Sequence, residues 1–251
     1  RAFWEPLLAS GPVEVLLFGD FETEKAVEAL RNTVGALKPR SAASISQKAS
    51  QVIFPAATAK PLRFTHKGPK DQLAAVIGWP TGAGLAQISE ARQLEVLAAL
   101  FRDRLFEKFR SEQAASYSPD ATATWPDEFA SGGFLMAYSQ MQPKDKDRFF
   151  AFANAVAADL ASTPVSKDEL QRALEPILQY VERATTGNLF WMNELEGATY
   201  NAARYEALGR LYSDYSKVTP EQLQALARKY LVTAKAWTMV VEPEAGAVAS
   251  R

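Results

Sequence analysis

The sequence of 251 residues has no cysteine and one histidine, His66. Without cysteine there is no disulfide, no thiolate nucleophile and no cysteine metal site. One imidazole cannot supply the two that a histidine-held zinc needs. Neither sign of charge is in excess. Lys+Arg number 28 and Asp+Glu 29, so the net charge is −1 and the pI about 6.0. No basic field therefore invites nucleic acid or anionic lipid. No apolar run reaches the length that spans a bilayer. Gly82-Ala83-Gly84 lacks the third glycine or Gly-Lys-Ser that a phosphate loop requires, and no nucleophile elbow is present. The missing cysteines fit cytoplasm and periplasm equally.

What is present is ordinary for a globular protein: 47% hydrophobic and 23% charged residues, in a chain long enough to bury a substantial core. The chain opens at Arg1 with an element already under way, which reads as a piece of a longer protein. Residues 13–18 (VEVLLF) form a short apolar, branched run and predict a buried strand. Gly19-Asp20 then turns the chain into an amphipathic helix carrying Ala26, Leu30, Val34 and Leu37 on one face. Residues 39–60 are poor in periodic apolar positions and rich in Pro, Ser, Ala and Thr, so they read as a long surface connection.

Two strands follow at 61–66 and 72–79, separated by a Lys-Gly-Pro-Lys-Asp turn. A long helix from about 88 to 110 places Leu94, Leu97, Phe101, Leu105 and Phe109 on one stripe. Residues 117–125 and 132–141 predict a hairpin with a longer loop. The remainder is mainly helical. Ser166 to Glu169 has the spacing of a capping box, Pro176 falls within the next helix, and Thr219-Pro220-Glu221-Gln222 is the clearest helix start. A last strand covers 236–241. Hairpins and helices in separate runs give an α+β fold, with helices packed on one face of a largely antiparallel sheet.

The long helix loses its period after Arg110 and stops before Ser118-Pro119, because the residue preceding proline is driven out of the helical region. Arg110 thus lies at a helix end and Tyr117 just past it. One reading is local: arginine beside a helix C-terminus, tyrosine opening a strand. The other rests on likeness. Arg110, Tyr117 and Ser118 resemble in type and spacing the R-x-x-x-G-x-x-Y-S signature in the C-terminal half of M16 (pitrilysin, insulinase-like) zinc metallopeptidases. Ala114 stands where that family often has glycine. The Gly19-Asp20-Phe21 unit and the closing VTPEQLQALARKYL…WTMVV are also similar to the family's, and the resemblance covers nearly the whole chain as a single domain.

That resemblance implies the M16 / LuxS-like α+β fold and a share in peptide hydrolysis. A catalytic M16 half carries H-x-x-E-H, which this chain lacks; zinc is then expected in a missing N-terminal half, none in this chain, and the isolated chain is expected to be inactive. The resemblance further implies that Tyr117 supports the oxyanion of the reacting carbonyl and that Arg110 holds a peptide backbone carbonyl. It makes the N-terminal half, or a partner subunit, and a peptide substrate the partners. An alternative is a non-catalytic M16-like subunit that binds peptide or a partner chain without taking part in proteolysis. AFWEPLLASGPVEVLLFGDF and GALKPR look most like long bacterial members exported to the periplasm; failing that address, the parent is cytoplasmic. Glu194 and Glu196 are read as structural, since residues two apart on a helix do not face each other. Trp79, Trp125, Trp191 and Trp237 are expected to line core or groove.

Overall fold

The computed structural model describes residues 2–11, 13–40, 52–111 and 119–244. Two helices come first, α1 (Trp4–Ala9) and α2 (Thr23–Asn32). Strands β1 (Leu62–His66) and β2 (Leu73–Pro80) lead into the long helix α3 (Ile88–Ser111). Strands β3 (Asp120–Thr124) and β4 (Phe134–Met141) follow, then helices α4 (Lys146–Ser162), α5 (Lys167–Ala184), α6 (Asn188–Glu194), α7 (Ala203–Gly209), α8 (Leu211–Ser216) and α9 (Pro220–Tyr230). Strand β5 (Trp237–Pro243) ends the described chain.

The strands form one five-stranded sheet in the order β1-β5-β2-β4-β3. All its pairings are antiparallel except β1 with β5, which run parallel. This is the α+β sheet that the sequence predicts. The strands at 61–66 and 72–79 are neighbours in sequence but not in space, because β5 lies between them.

Alternation along β2 sends Leu73, Ala75, Ile77 and Trp79 to one face, where all four are buried. Leu135, Ala137 and Met141 of β4 and Val240 of β5 share that face by register. Helix α3 packs against it, with Trp79 and Phe101 ring centroids 5.6 Å apart. The predicted stripe Leu94–Leu97–Phe101–Leu105–Phe109 is buried throughout. So are Val96, Ala98 and Leu100, because α3 is also covered by α4, α5, α8 and α9.

One salt-bridge network ties three of these helices. Arg104 donates from Nε and Nη2 to the two Glu169 oxygens at 2.7 and 2.9 Å, and from Nη1 to Asp159 at 2.8 Å. That explains why the capping box at the start of α5 is only half made. Ser166 Oγ accepts from Glu169 N–H at 3.1 Å, but the Glu169 carboxylate is taken by Arg104 instead of reaching back. At α9 no arginine competes, and the Thr219/Gln222 box is complete.

Two sequence expectations change at the N-terminal end. Residues 13–18 form no strand and join none of the described ones, and Val13, Val15 and Leu17 stand exposed. An apolar run is only half of a strand; the other half is a ladder partner, and none is described here. Helix α2 forms over the first part of the predicted stretch, ends before Val34 and Leu37, and buries none of its residues. Glu14 fastens this segment to the loop after α6, accepting from the Gly197 and Thr199 N–H groups at 2.6 and 3.1 Å.

The hairpin β3–β4 returns close under the Thr81-Gly82 turn. A Cβ on Gly133 would lie 1.9 Å from the Gly82 carbonyl oxygen, and one on Gly82 would meet the Trp125 ring at 2.3 Å. Gly133→Ala must therefore displace backbone and is expected to destabilise the fold by about 2 kcal/mol or more. An unchanged urea midpoint would contradict that packing. A second expectation concerns acid. Arg104 holds the Glu169 carboxyl below its ordinary value. The pair stabilises the fold fully above the ordinary value, and the contribution fades as pH falls through the lowered one. Glu169→Gln should lower stability at pH 7 by roughly 1–2 kcal/mol. Thermal melts should show the difference from the unmodified chain shrinking below pH 4.5.

Candidate functional site

Arg110 lies in the last turn of α3, where a cation suits the negative end of the helix dipole. Its side chain is exposed, and Nη2 reaches Glu107 at 3.4 Å. An exposed i,i+3 pair of that length contributes only a few tenths of a kcal/mol, so the guanidinium exchanges readily for another acceptor. Tyr117, Ala114 and Ser118 lie outside the described residues. The chain resumes at Pro119, which lines a charged groove with Arg102, Lys108, Asp159 and Arg172.

His66 uses both ring nitrogens. Nδ1 accepts from the Gly68 N–H at 3.0 Å, which places the ring proton on Nε2 for donation to the Gln72 carbonyl, also at 3.0 Å. It holds the turn between β1 and β2. Among the described residues no three His, Asp or Glu side chains gather as metal ligands. With one histidine so engaged and no cysteine, this chain's residues do not fit a zinc ion.

Among the described residues, little covers the sheet face opposite α3. Register aligns Leu62, Met239, Val76, Tyr138 and Asp120 in one row across all five strands. The Tyr138 hydroxyl donates to Asp120 at 2.8 Å, which raises its pKa above the ordinary phenol value. Leu62 is 44% and Phe64 53% exposed on this face. Residues 52–58 cover one end of it. Phe54 packs against Phe134 and Trp237, above Gly78, where a Cβ would come within 3.1 Å of the ring. Thr58 N–H donates to the Ala236 carbonyl at 3.1 Å.

A second concavity lies on the helical side, between α3, α5 and α8. It is about 340 Å³ and is lined by Trp125, Tyr180, Phe190 and Tyr215 together with Glu95 and Glu194. Arg92, buried at its edge, is spent on Asp214 at 2.6 Å and on the Ala207 carbonyl at 2.8 Å. The Tyr215 hydroxyl donates to Glu95, and burial followed by that carboxylate pushes the phenol's pKa far up. Desolvation raises the Glu194 carboxyl against the pull of Arg204 and Arg92. Sequence reasoning compared Glu194 with its neighbour Glu196. The structure sets it instead in one cavity with Glu95, about a hundred positions away, with no local signal that the two share a lining. Of the tryptophans, Trp79 is core, whereas Trp125 lines this cavity and donates to the Gly84 carbonyl at 3.0 Å.

Among the described residues no helix is long and apolar enough to cross a membrane. No curated protein matches the sequence. Solved structures do match the fold. A conserved protein from Enterococcus faecalis V583 aligns with TM-score 0.76 and 14% identity, over 97% of this chain and 55% of that one. A peptidase M16 inactive domain from Pseudomonas fluorescens aligns with TM-score 0.67 and 16% identity, over 92% of this chain and 53% of that one. PqqL, a periplasmic protease from Escherichia coli, aligns with TM-score 0.69 and 15% identity, over 90% of this chain and 25% of that protein. At such identities the likeness speaks for fold, and this chain spans about half or less of each relative's length. The family described as peptidase M16 inactive domain matches residues 1–177. With that family model matching residues 1–177, the chain belongs to the peptidase M16 inactive-domain family.

Proposed function

We propose that this chain is the non-catalytic C-terminal part of an M16 zinc metallopeptidase and forms one wall of the chamber that encloses the peptide. The observation that carries the reading is the one-sided build of a domain from an inactive-domain family. Helices cover one sheet face, while the other presents Leu62, Phe64 and Tyr138 to solvent. Extended, partly unfolded substrate offers apolar side chains and backbone groups that such a face can meet.

In this reading zinc belongs to the N-terminal half or to a partner subunit. This chain adds two donors. Tyr117 gives a phenolic hydrogen bond to the oxyanion developing on the reacting carbonyl, where a correctly placed donor lowers the barrier. Arg110 leaves its weak pair with Glu107 and binds a backbone carbonyl with its planar fork, fixing the register of the peptide. The likeness to PqqL, a periplasmic protease, supports a periplasmic parent.

Tyr117→Phe in the complete peptidase is expected to lower kcat by roughly 10²–10³-fold with KM nearly unchanged, the pattern of a donor used in the transition state. Arg110→Ala should act mainly on KM. Steady-state kinetics on a quenched fluorescent peptide separates the two. Unaltered turnover in Tyr117→Phe would overturn the tyrosine's role.

A further inference from the structure

The cavity between α3, α5 and α8 holds two carboxylates that no described cation pairs with at salt-bridge distance, although Arg92 lines the cavity and acts on Glu194 from further off. Glu95 accepts only the Tyr215 hydroxyl, and no described residue gives Glu194 a hydrogen bond or close ion pair. The nearby arginines are already engaged, Arg92 with Asp214 and Arg204 with Asp127 and Glu128. No third metal-ligating side chain joins the two glutamates among the described residues, so a metal is a poor match. The rest of the lining, Arg92 aside, is apolar, part aliphatic (Ile88, Ile177, Val181 and Leu211 among others) and part aromatic. Rings of Trp125, Tyr180 and Phe190 around a negative site select an organic cation, whose charge meets the ring faces while its alkyl stem is desolvated.

The cavity does not end there. It shares Glu95, Ala123, Ile177 and Tyr180 with a groove of about 380 Å³ that runs along β3 between α3 and α5. Strand β3 is an edge of the sheet, paired on one side with β4. The groove is kept open by small side chains: Ala98 and Ala99 of α3, Ala121 and Ala123 of β3, and Ala173 of α5. An edge strand beside such a groove is the geometry in which an extended peptide adds by main-chain hydrogen bonds.

We propose that the groove along β3 binds an extended peptide and that the Glu95/Glu194 cavity takes a lysine or arginine side chain from it. The inference builds on the reading that this domain meets peptide. It adds a subsite of its own on the helical side, away from Arg110, and is read by binding alone, without zinc or turnover. Its failure would leave the chamber-wall reading standing, and the reverse also holds.

The test is fluorescence anisotropy with the 251-residue chain and two labelled heptapeptides, one with a central lysine and one with norleucine in its place. The lysine peptide should bind about tenfold more tightly. Glu194→Gln and Tyr180→Ala alter exposed residues and should retain the native circular dichroism spectrum. Glu194→Gln should weaken the lysine peptide by about tenfold and leave the norleucine peptide unaffected, whereas Tyr180→Ala, in the wall shared with the groove, should weaken both. N-methylation of alternate peptide nitrogens should abolish binding of both. Equal affinity for the two peptides, indifference to Glu194→Gln, or equal binding of free n-butylamine and the lysine peptide would each overturn the proposal.

Discussion

The burial of α3 on two sides is the constraint on which the rest depends. Its 24 residues carry more apolar positions than one stripe needs, and the surplus, Val96, Ala98 and Leu100, is satisfied only if something packs behind it. The sheet covers one side, at β3 and β4 and through Trp79 of β2; α4, α5, α8 and α9 cover the other. With every long helix of the described chain drawn to that side, little remains for the opposite sheet face. The exposed Leu62 and Phe64 are thus a consequence of where α3 sits. The Arg104–Glu169–Asp159 network then sets how α4 and α5 lie against α3, at the end of the helix from which Arg110 projects.

That placement gives the two candidate surfaces different characters. The open sheet face is broad, apolar and shallow, suited to enclosing a chain without choosing among side chains. The cavity on the helical side is lined by apolar and aromatic side chains with two carboxylates and, as proposed, reads one side chain. The charged groove at the C-terminal end of α3 lies near both Arg110 and Pro119, where the described chain resumes.

Much of the fold was legible because its signals are local. The stripe on α3, the β3–β4 hairpin, the cap at Thr219 and the strands at 61–66 and 72–79 each follow from period, turn chemistry or branching within a few residues. What was not legible depends on distant partners. Residues 13–18 read as a strand because VEVLLF is apolar and branched, but a ladder needs a second strand that the sequence cannot place. The insertion of β5 between β1 and β2 is set by the whole sheet. The half-made cap at Ser166 required knowing that Arg104, over sixty residues earlier, claims Glu169. The site divides in the same way. The Arg110/Tyr117 candidate comes from spacing and likeness to a family signature, with Tyr117 outside the described residues, whereas Glu95 and Glu194 line one cavity only when α3 and α6 are brought together.

The most direct measurement is zinc-dependent cleavage of a quenched fluorescent peptide by three samples: this chain, the parent's N-terminal half, and their mixture. The account predicts silence from this chain, little or no cleavage by the N-terminal half, and activity restored on mixing. Light scattering that shows the two halves associated, with cleavage no faster than that of the N-terminal half alone, would contradict it and mark the chain as a partner that takes no part in proteolysis.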